Sequence, residues 1–218
     1  MWLDFQSYDR DDHQLGRREL ERMGLVLTCN YIPSSFIDVN KLSAIWDDIS
    51  LTHGQLVIKG LKLIDPKVEG LTFRKVNKNG SVAVRKPFVK LKGQEQLEPL
   101  MSYGDGIRRV LQIFLYLIRA KDRLLLIDEF ENGLHYTVQP KVWKLIFKLA
   151  KDLNVQVFAT THSWDCITAF QQVSQDCKED VILFRLRSVR TTNLGQVIAR
   201  IYDKESLQRV TQADLEVR

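Results

Sequence analysis

A run of four apolar residues, from Leu124 to Ile127, leads directly into two adjacent carboxylates, Asp128 and Glu129. A short continuous apolar run of this kind is typical of a strand buried on both faces, as in a parallel sheet covered by helices. Ligands of open α/β sheets bind at the carboxyl ends of the strands, where the two acids would then lie. The pair also fits a strand that simply ends where the chain returns to water. Neighbouring motifs decide between these interpretations.

The composition is ordinary for a folded protein. The 218 residues are 44% hydrophobic and 27% charged, enough for one large domain or two small ones. The formal net charge of +5 permits contact with nucleic acid but does not indicate it, because the basic residues are scattered and interleaved with acids. Basic pairs such as Arg17-Arg18 and Arg108-Arg109 are interpreted as solvated helix faces.

Cysteine usage and hydropathy predict a cytoplasmic protein. Cys29, Cys166 and Cys177 are far apart and have no metal-ligand spacing with the histidines, which predicts reduced thiols. No apolar run reaches the ~18–20 residues that a membrane span needs. The first residues also lack the basic and apolar zones of a signal peptide.

The second half of the chain alternates strands and helices with short connections, a pattern typical of a parallel α/β sheet. The predicted strands are 124–128, 155–160 and 181–186, and the predicted helices are 107–120, 138–153 and 164–174. An antiparallel strand at 196–202 should pair with 181–186. A closing helix capped by Asp203 should follow.

The first half reads as a mixed α+β region. A charged helix is predicted at 14–23. Asp38 should cap a helix with an apolar face, and a second short helix is predicted at 55–63. Asn79-Gly80 indicates a tight turn between strands at 70–76 and 81–91. We therefore divide the chain into a mixed region, 1–98, and an α/β region, 99–218.

Two further motifs flank the acidic pair. Ser102, Gly104 and Gly106 precede a long amphipathic helix, an arrangement that can hold an anion, although glycines also serve ordinary turns. His162 follows the next apolar strand, where it could hydrogen-bond a phosphate or a water. Alternatively, Ser163 caps the next helix and His162 is a surface residue.

Together and in this order, the three motifs resemble the second half of an ABC-type ATPase head, in particular the AAA-domain ATPases related to the OLD, RecF and SMC proteins. The resemblance is specific over about 100–170. It implies an α/β P-loop NTPase fold, a parallel sheet flanked by helices but incomplete here. It assigns Ser102, Gly104 and Gly106 to the signature loop, Asp128 to Mg²⁺, Glu129 to the catalytic base, Asn132 to the D-loop segment 131–135, and His162 to the switch histidine.

The resemblance also implies cofactors and partners. ATP and Mg²⁺ would be bound between two heads, either a homodimer or a partner ATPase head, with the signature loop of one closing on the γ-phosphate held by the other. Such a switch would serve a DNA-transaction or phage-defence system, together with a separate nuclease or effector chain. Contact with DNA is permitted but not indicated, and no membrane contact is expected. An ABC importer or exporter subunit fits the motifs less well.

One expected motif is missing. The sequence G-x-x-x-x-G-K-[ST], which cradles phosphates and supplies a lysine, does not occur, and the chain has no Gly-Lys dipeptide. We expect the chain to be the carboxyl-terminal part of a longer ATPase, to bind ATP weakly by itself, and to leave an uncovered sheet edge. The alternative is a non-catalytic interaction protein that has lost nucleotide binding.

Overall fold

A computed structural model of the chain describes residues 29–78, 81–177, 181–189 and 196–213. The helix predicted at 14–23 lies outside these residues. The helices are α1 (Val39–Leu61), α2 (Asp105–Arg119), α3 (Gln139–Asp152), α4 (Trp164–Gln175) and α5 (Lys204–Gln212), with a short 3₁₀ helix at Leu100–Tyr103. The strands are β1 (Cys29–Ile32), β2 (Val68–Lys78), β3 (Ser81–Leu91), β4 (Leu97–Pro99), β5 (Leu124–Ile127), β6 (Gln156–Ala159), β7 (Leu183–Val189) and β8 (Gln196–Tyr202).

A parallel sheet with the order β1-β5-β6 carries the two acids, which confirms the predicted α/β class. Helix α2 packs against β1 and β5. Strand β1 was not predicted, because four residues of mixed polarity carry no periodic signal. It belongs to the region before residue 98 yet pairs with β5, which follows that boundary. The division at residue 98 therefore remains a prediction about sequence organisation.

Only one face of β5 is fully buried, so the prediction of a strand buried on both faces is wrong. Leu125 and Ile127 are buried, whereas Leu124 and Leu126 on the other face are half-buried. Within the described residues no helix covers that second face completely. Its apolar side chains therefore keep partial contact with water.

The outer side of β6 is an edge of the sheet. Among the described residues β6 pairs only with β5, and Phe158 on this strand is 46% exposed. An open edge was expected, and a parallel sheet usually buries such strands between neighbours. The edge lies beside the candidate site, because residues 160–163 continue directly from β6.

Helix α1 is continuous, so the prediction of one helix after Asp38 and a separate short helix at 55–63 is wrong. Its amino end is capped as predicted, since the Asp38 carboxylate accepts a hydrogen bond from the amide of Asn40 (2.8 Å). Gly54 lies against the ring of Trp46, about two helical turns earlier on the same face of α1. Packing of this kind overrides the low helix propensity of glycine.

Strands β2 and β3 form the predicted antiparallel hairpin, and β4 adds a third strand that was not predicted. The turn residues Asn79-Gly80 lie outside the described residues. One face of this sheet packs on α1 and joins the main core through Leu71, Phe73, Val89 and Leu91. At the other end of the chain, β7 and β8 pair antiparallel, and Asp203 caps α5 by accepting a hydrogen bond from Ser206, both as predicted.

Membrane-spanning helices were searched for in the described residues. None of the helices there is both long and apolar enough to cross a bilayer.

Candidate functional site

The acidic pair lies at the carboxyl end of β5, where a threonine from the next strand ties the two residues together. The Thr160 hydroxyl donates to Oδ1 of Asp128 (2.7 Å) and accepts from the backbone amide of Glu129 (2.9 Å). Backbone bonds continue the pairing, from Thr160 N to the carbonyl of Ile127 and from Phe130 N to the carbonyl of Thr160. The ends of β5 and β6 are thus one hydrogen-bonded unit that fixes the Asp128 carboxylate.

The backbone turns sharply at the second acid. Glu129 has φ = 44°, a left-handed conformation that is uncommon for residues other than glycine. Immediately after it, Phe130 is fully buried and stacks on Trp143 of α3 with 3.8 Å between ring centroids. The anchored ring fixes the turn on the side of α3, while Glu129 itself is half-buried at the carboxyl end of β5.

Arg109 of α2 lies beneath this turn and is 1% exposed. Its guanidinium donates to the carbonyls of Asp128 (2.5 Å), Glu129 (2.9 Å) and Pro33 (2.8 Å). The prediction that Arg108-Arg109 is a solvated pair is therefore wrong for Arg109. Its position on α2 places the side chain on the core side, where three carbonyl groups that end two strands require donors.

Burial lowers the pKa of the Arg109 guanidinium, and the nearby charges of Glu131, Asp128 and Glu129 oppose that shift. An arginine remains charged under such conditions. A buried positive charge consequently sits under three carboxylates, and it offsets part of their mutual repulsion.

Glu131 connects the β5 turn to the loop that carries His162. Its Oε1 accepts a hydrogen bond from the backbone amide of His162 (2.9 Å), whereas its buried Oε2 has no partner among the described residues. The His162 ring is exposed. Ser163 caps α4 by accepting from Cys166 N (3.3 Å), so capping and an exposed histidine occur together.

The segment after Glu131 also touches the loop that follows β1 and the start of α2. Asn132 Nδ2 donates to the carbonyl of Ser34 (2.6 Å). A Cβ at Gly106 would lie 3.1 Å from the carbonyl oxygen of Gly133, so the two backbones meet at a distance only glycine allows comfortably. Gly133 itself has φ = 74°.

The predicted signature residues surround the amino end of α2. Ser102 is exposed in the 3₁₀ helix, and Gly104, with φ = 76°, stands at the N-cap position of α2. Arg108 pairs with Asp105 (3.2 Å) and lies over the ring of Phe36, 3.7 Å from its centroid.

The structure thus brings the acidic pair, His162 and Gly106 to one end of the sheet. Two hydrogen bonds connect the loop after β5 to the loop after β6, one from Glu129 N to the Thr160 hydroxyl and one from His162 N to the Glu131 carboxylate. The loop after β5 also meets Gly106 at the carbonyl of Gly133. Sequence reasoning missed Thr160 and Arg109. A hydroxyl directly after β6 and a cation among apolar positions of a helix are the signals that point to them.

The described side chains of the site offer one carboxylate ligand for a metal ion, that of Asp128, and not a complete set of protein ligands. Among the described residues, no three His, Cys, Asp or Glu side chains cluster tightly enough to hold a metal ion. Mg²⁺ is commonly bound by one or two carboxylates with water and substrate phosphates completing its shell. Asp128 fits that manner of binding, because Thr160 engages only Oδ1 and leaves Oδ2 for a metal.

Residues 32–167 match the model of the AAA ATPase domain family. The chain belongs to this family. The match begins at the last residue of β1, includes all three motifs and the loops that meet at the candidate site, and confirms the resemblance drawn from the motifs. Membership implies a nucleotide-binding, ATPase-type domain.

An ATP/GTP phosphatase of Helicobacter pylori is 30% identical to this chain over an alignment of 155 residues that covers 69% of the chain. The chain spans 39% of the length of that relative. Similar solved structures include an SMC head domain from Thermotoga maritima, with 12% identity, a TM-score of 0.46, and coverage of 79% of this chain and 52% of that one. A Smc head domain from Pyrococcus furiosus, bound to the C-terminal domain of ScpA, has 10% identity and a TM-score of 0.42, covering 82% of this chain and 42% of that one.

Proposed function

We propose that this AAA ATPase domain forms the metal and water side of an ATP-hydrolysing site. The observation that carries the proposal is the bridge from Asp128 through Thr160 to Glu129 at the carboxyl end of β5. Structural roles alone do not require two adjacent carboxylates, one of them in a left-handed conformation, at the end of this central strand.

Each residue has a proposed role. Asp128 would hold Mg²⁺, which when bound neutralises phosphate charge. Glu129 would orient and polarise the attacking water, and His162 would hydrogen-bond the γ-phosphate or that water. Catalysis would rest on positioning and electrostatics, since phosphoryl transfer needs little covalent chemistry from the protein.

The signature residues would act on a second nucleotide. Ser102, Gly104 and Gly106 surround the amino end of α2, which favours an anion, and would receive the γ-phosphate held by another head. Asn132 would contact nucleotide through its carbonyl oxygen, because its amide nitrogen already donates to Ser34. ATP would then act as a dimerising ligand, either in a homodimer or with a partner head, in a DNA-transaction or defence system with a separate effector chain.

The missing phosphate-cradle motif defines the first test. We expect the 218-residue chain to bind Mg-ATP weakly or not at all in calorimetric titration, because no segment of it contains G-x-x-x-x-G-K-[ST]. Addition of a polypeptide that carries the motif, encoded upstream, should restore phosphate release. Tight Mg-ATP binding by the chain alone would refute the prediction that nucleotide binding requires the missing motif.

The second test concerns Glu129 in the restored system. Glu129→Gln keeps the size of the side chain and removes its charge, so phosphate release should fall by roughly 10²–10⁴-fold. The matched control is Glu95→Gln, an exposed acid outside the site that should leave the rate unchanged. Equal rates for Glu129→Gln and the unsubstituted chain would exclude the proposed role.

A second candidate function is a non-catalytic interaction protein that docks on an intact head. The observation that favours it is the same absence of a Gly-Lys dipeptide in the sequence. It predicts binding to a complete relative without any dependence on Glu129. The upstream polypeptide experiment therefore separates the two functions.

A further inference from the structure

The three-stranded sheet β2-β3-β4 has one buried face and one open face. The buried face packs on α1 through apolar side chains, as described above. On the open face, Lys86 and Lys90 are exposed and Phe88 between them is half-buried. Successive odd and even positions of a strand point to opposite faces, so these three side chains share one surface.

This sheet concentrates positive charge. Residues 67–92 contain eight Lys or Arg and one Glu, a net charge of +7, whereas the whole chain carries +5. The rest of the protein is therefore slightly acidic. The interpretation that the basic residues are merely scattered is wrong for this segment, because pairing of the two strands brings separate basic stretches side by side.

The strand register assembles the cations around the aromatic ring. Arg74 of β2 lies opposite Lys86 of β3, and Thr72 lies opposite Phe88. Lys86, Phe88 and Lys90 follow each other along the strand at two-residue steps of about 6.8 Å. Arg74, Lys86, Phe88 and Lys90 are called the basic face below.

The cations of the basic face are Arg74, Lys86 and Lys90, and the described residues show no acidic partner for them. None of the three belongs to an ion pair within the described residues. Arg85, on the opposite face of β3, provides the contrast, because it forms an ion pair with Asp47 of α1 and lies 5.9 Å from the centroid of Phe73. The hydrogen bond from Arg85 also lowers the pKa of the Asp47 carboxyl.

A shallow depression adjoins the ring. Its volume is about 620 Å³, and seven residues line it, among them Phe88, Arg74, Lys75 and Leu97. Glu95 is the one acid among these lining residues. Lys86 and Lys90 lie outside the depression, on the same face of β3 as Phe88.

We propose that the basic face binds single-stranded nucleic acid. The cations can bind the phosphates of a single-stranded nucleic acid, and the aromatic ring between them can stack on one of its unpaired bases. An acidic protein would use the cations but not the ring. An anionic membrane would need apolar side chains that protrude, and Phe88 is half-buried. The inference does not depend on ATP hydrolysis.

The test measures fluorescence anisotropy of a labelled 20-nucleotide DNA strand of mixed sequence with the full 218-residue chain. The triple variant Arg74→Gln, Lys86→Gln, Lys90→Gln removes three cations from the basic face. The matched control is Lys141→Gln, Lys144→Gln, Lys148→Gln, three exposed lysines on α3 with the same change in net charge. Circular dichroism melting of both variants checks that the fold is intact.

Loss of three phosphate contacts at ~0.1 M salt should weaken binding roughly a hundredfold, and the slope of log affinity against log salt should become shallower by about 2. The control triple should bind within about threefold of the unsubstituted chain. Phe88→Leu, which keeps an apolar side chain and loses the ring, should weaken single-stranded DNA by about fivefold or more. The same variant should leave unchanged the binding of the oligonucleotide annealed to its complement, because the bases of a duplex are stacked inside it and do not meet the ring.

Two results would overturn the proposal. One is equal affinity of the basic-face and α3 triples for the oligonucleotide. The other is binding to phosphatidylserine vesicles or to polyglutamate that the basic-face triple abolishes, while binding to the oligonucleotide is unaffected by it. The first would leave net charge as the sole determinant, and the second would assign the face to a membrane or an acidic protein.

Discussion

Arg109 gives the candidate site its shape although it contacts none of the proposed reacting groups. Its guanidinium ties the loop after β1 to the two carbonyls of the acidic turn, so α2, β1 and β5 meet at one side chain. Phe130 holds the same turn from the opposite direction through its stacking on Trp143. A left-handed Glu129 persists here because its surroundings fix it from both sides.

At the residue scale we predict that Arg109→Met destabilises the protein by about 3 kcal/mol, because the three carbonyl groups lose the guanidinium as donor and, within the described residues, only that of Glu129 keeps another, the amide of Asn132. The measurement is the free energy of unfolding from urea denaturation. Arg108→Met is the control. Since Arg108 forms a partly exposed pair with Asp105, its loss should cost about 1 kcal/mol or less. Similar costs for the two variants would contradict the positioning role of Arg109.

At the element scale the contact between α1 and α2 depends on one glycine. A Cβ at Gly60 would lie 2.2 Å from the fully buried ring of Phe114, a distance the packed core does not tolerate. Gly54 in the same helix differs, since its Cβ would meet only the far end of the Trp46 ring at 3.1 Å. Two glycines of one helix thus carry different constraints.

We expect Gly60→Ala to lower the free energy of unfolding by about 2 kcal/mol or more, because Phe114 must leave its position. Gly54→Ala should be neutral or should stabilise by up to about 1 kcal/mol, since alanine favours a helix interior. Thermal and urea unfolding of both variants provide the comparison. An equal effect at both positions would show that helix propensity, not the α1–α2 contact, governs the helix.

At the scale of the whole molecule, the parallel sheet leaves apolar surface open on one side. Tyr31, Leu126 and Phe158 lie in register across β1, β5 and β6, and Tyr31 and Phe158 are 52% and 46% exposed. An exposed apolar row on a parallel sheet is unusual, because helices normally cover both faces. This row lies next to the free edge of β6.

We predict that the folded chain binds the dye ANS at this row, with enhanced fluorescence under native conditions. Phe158→Lys should reduce the enhancement by about half or more, because it replaces one of the three apolar side chains of the row with a charged one. Leu51→Lys is the control, since Leu51 is 99% exposed but isolated on α1. Native fluorescence that is the same in both variants would rule out the row as the dye site.

The sequence by itself determined the α/β rhythm of the second half, the hairpin, the Asp38 and Asp203 caps and the three motifs. Strong periodicity, tight-turn residues and capping side chains are local signals, and local physics acts on them directly. It also indicated the AAA ATPase family, which the match over residues 32–167 confirmed. The proposed roles of Glu129 and His162 remain predictions.

Only the tertiary structure decided that Arg109 is buried, that β1 joins β5, that one face of β5 stays partly open, and that the cations of β2 and β3 form one surface. Each of these depends on residues far apart in the chain. Which side chain meets an unpaired carbonyl, and which strands lie side by side, is fixed by packing of the whole core. No short segment of sequence carries that information.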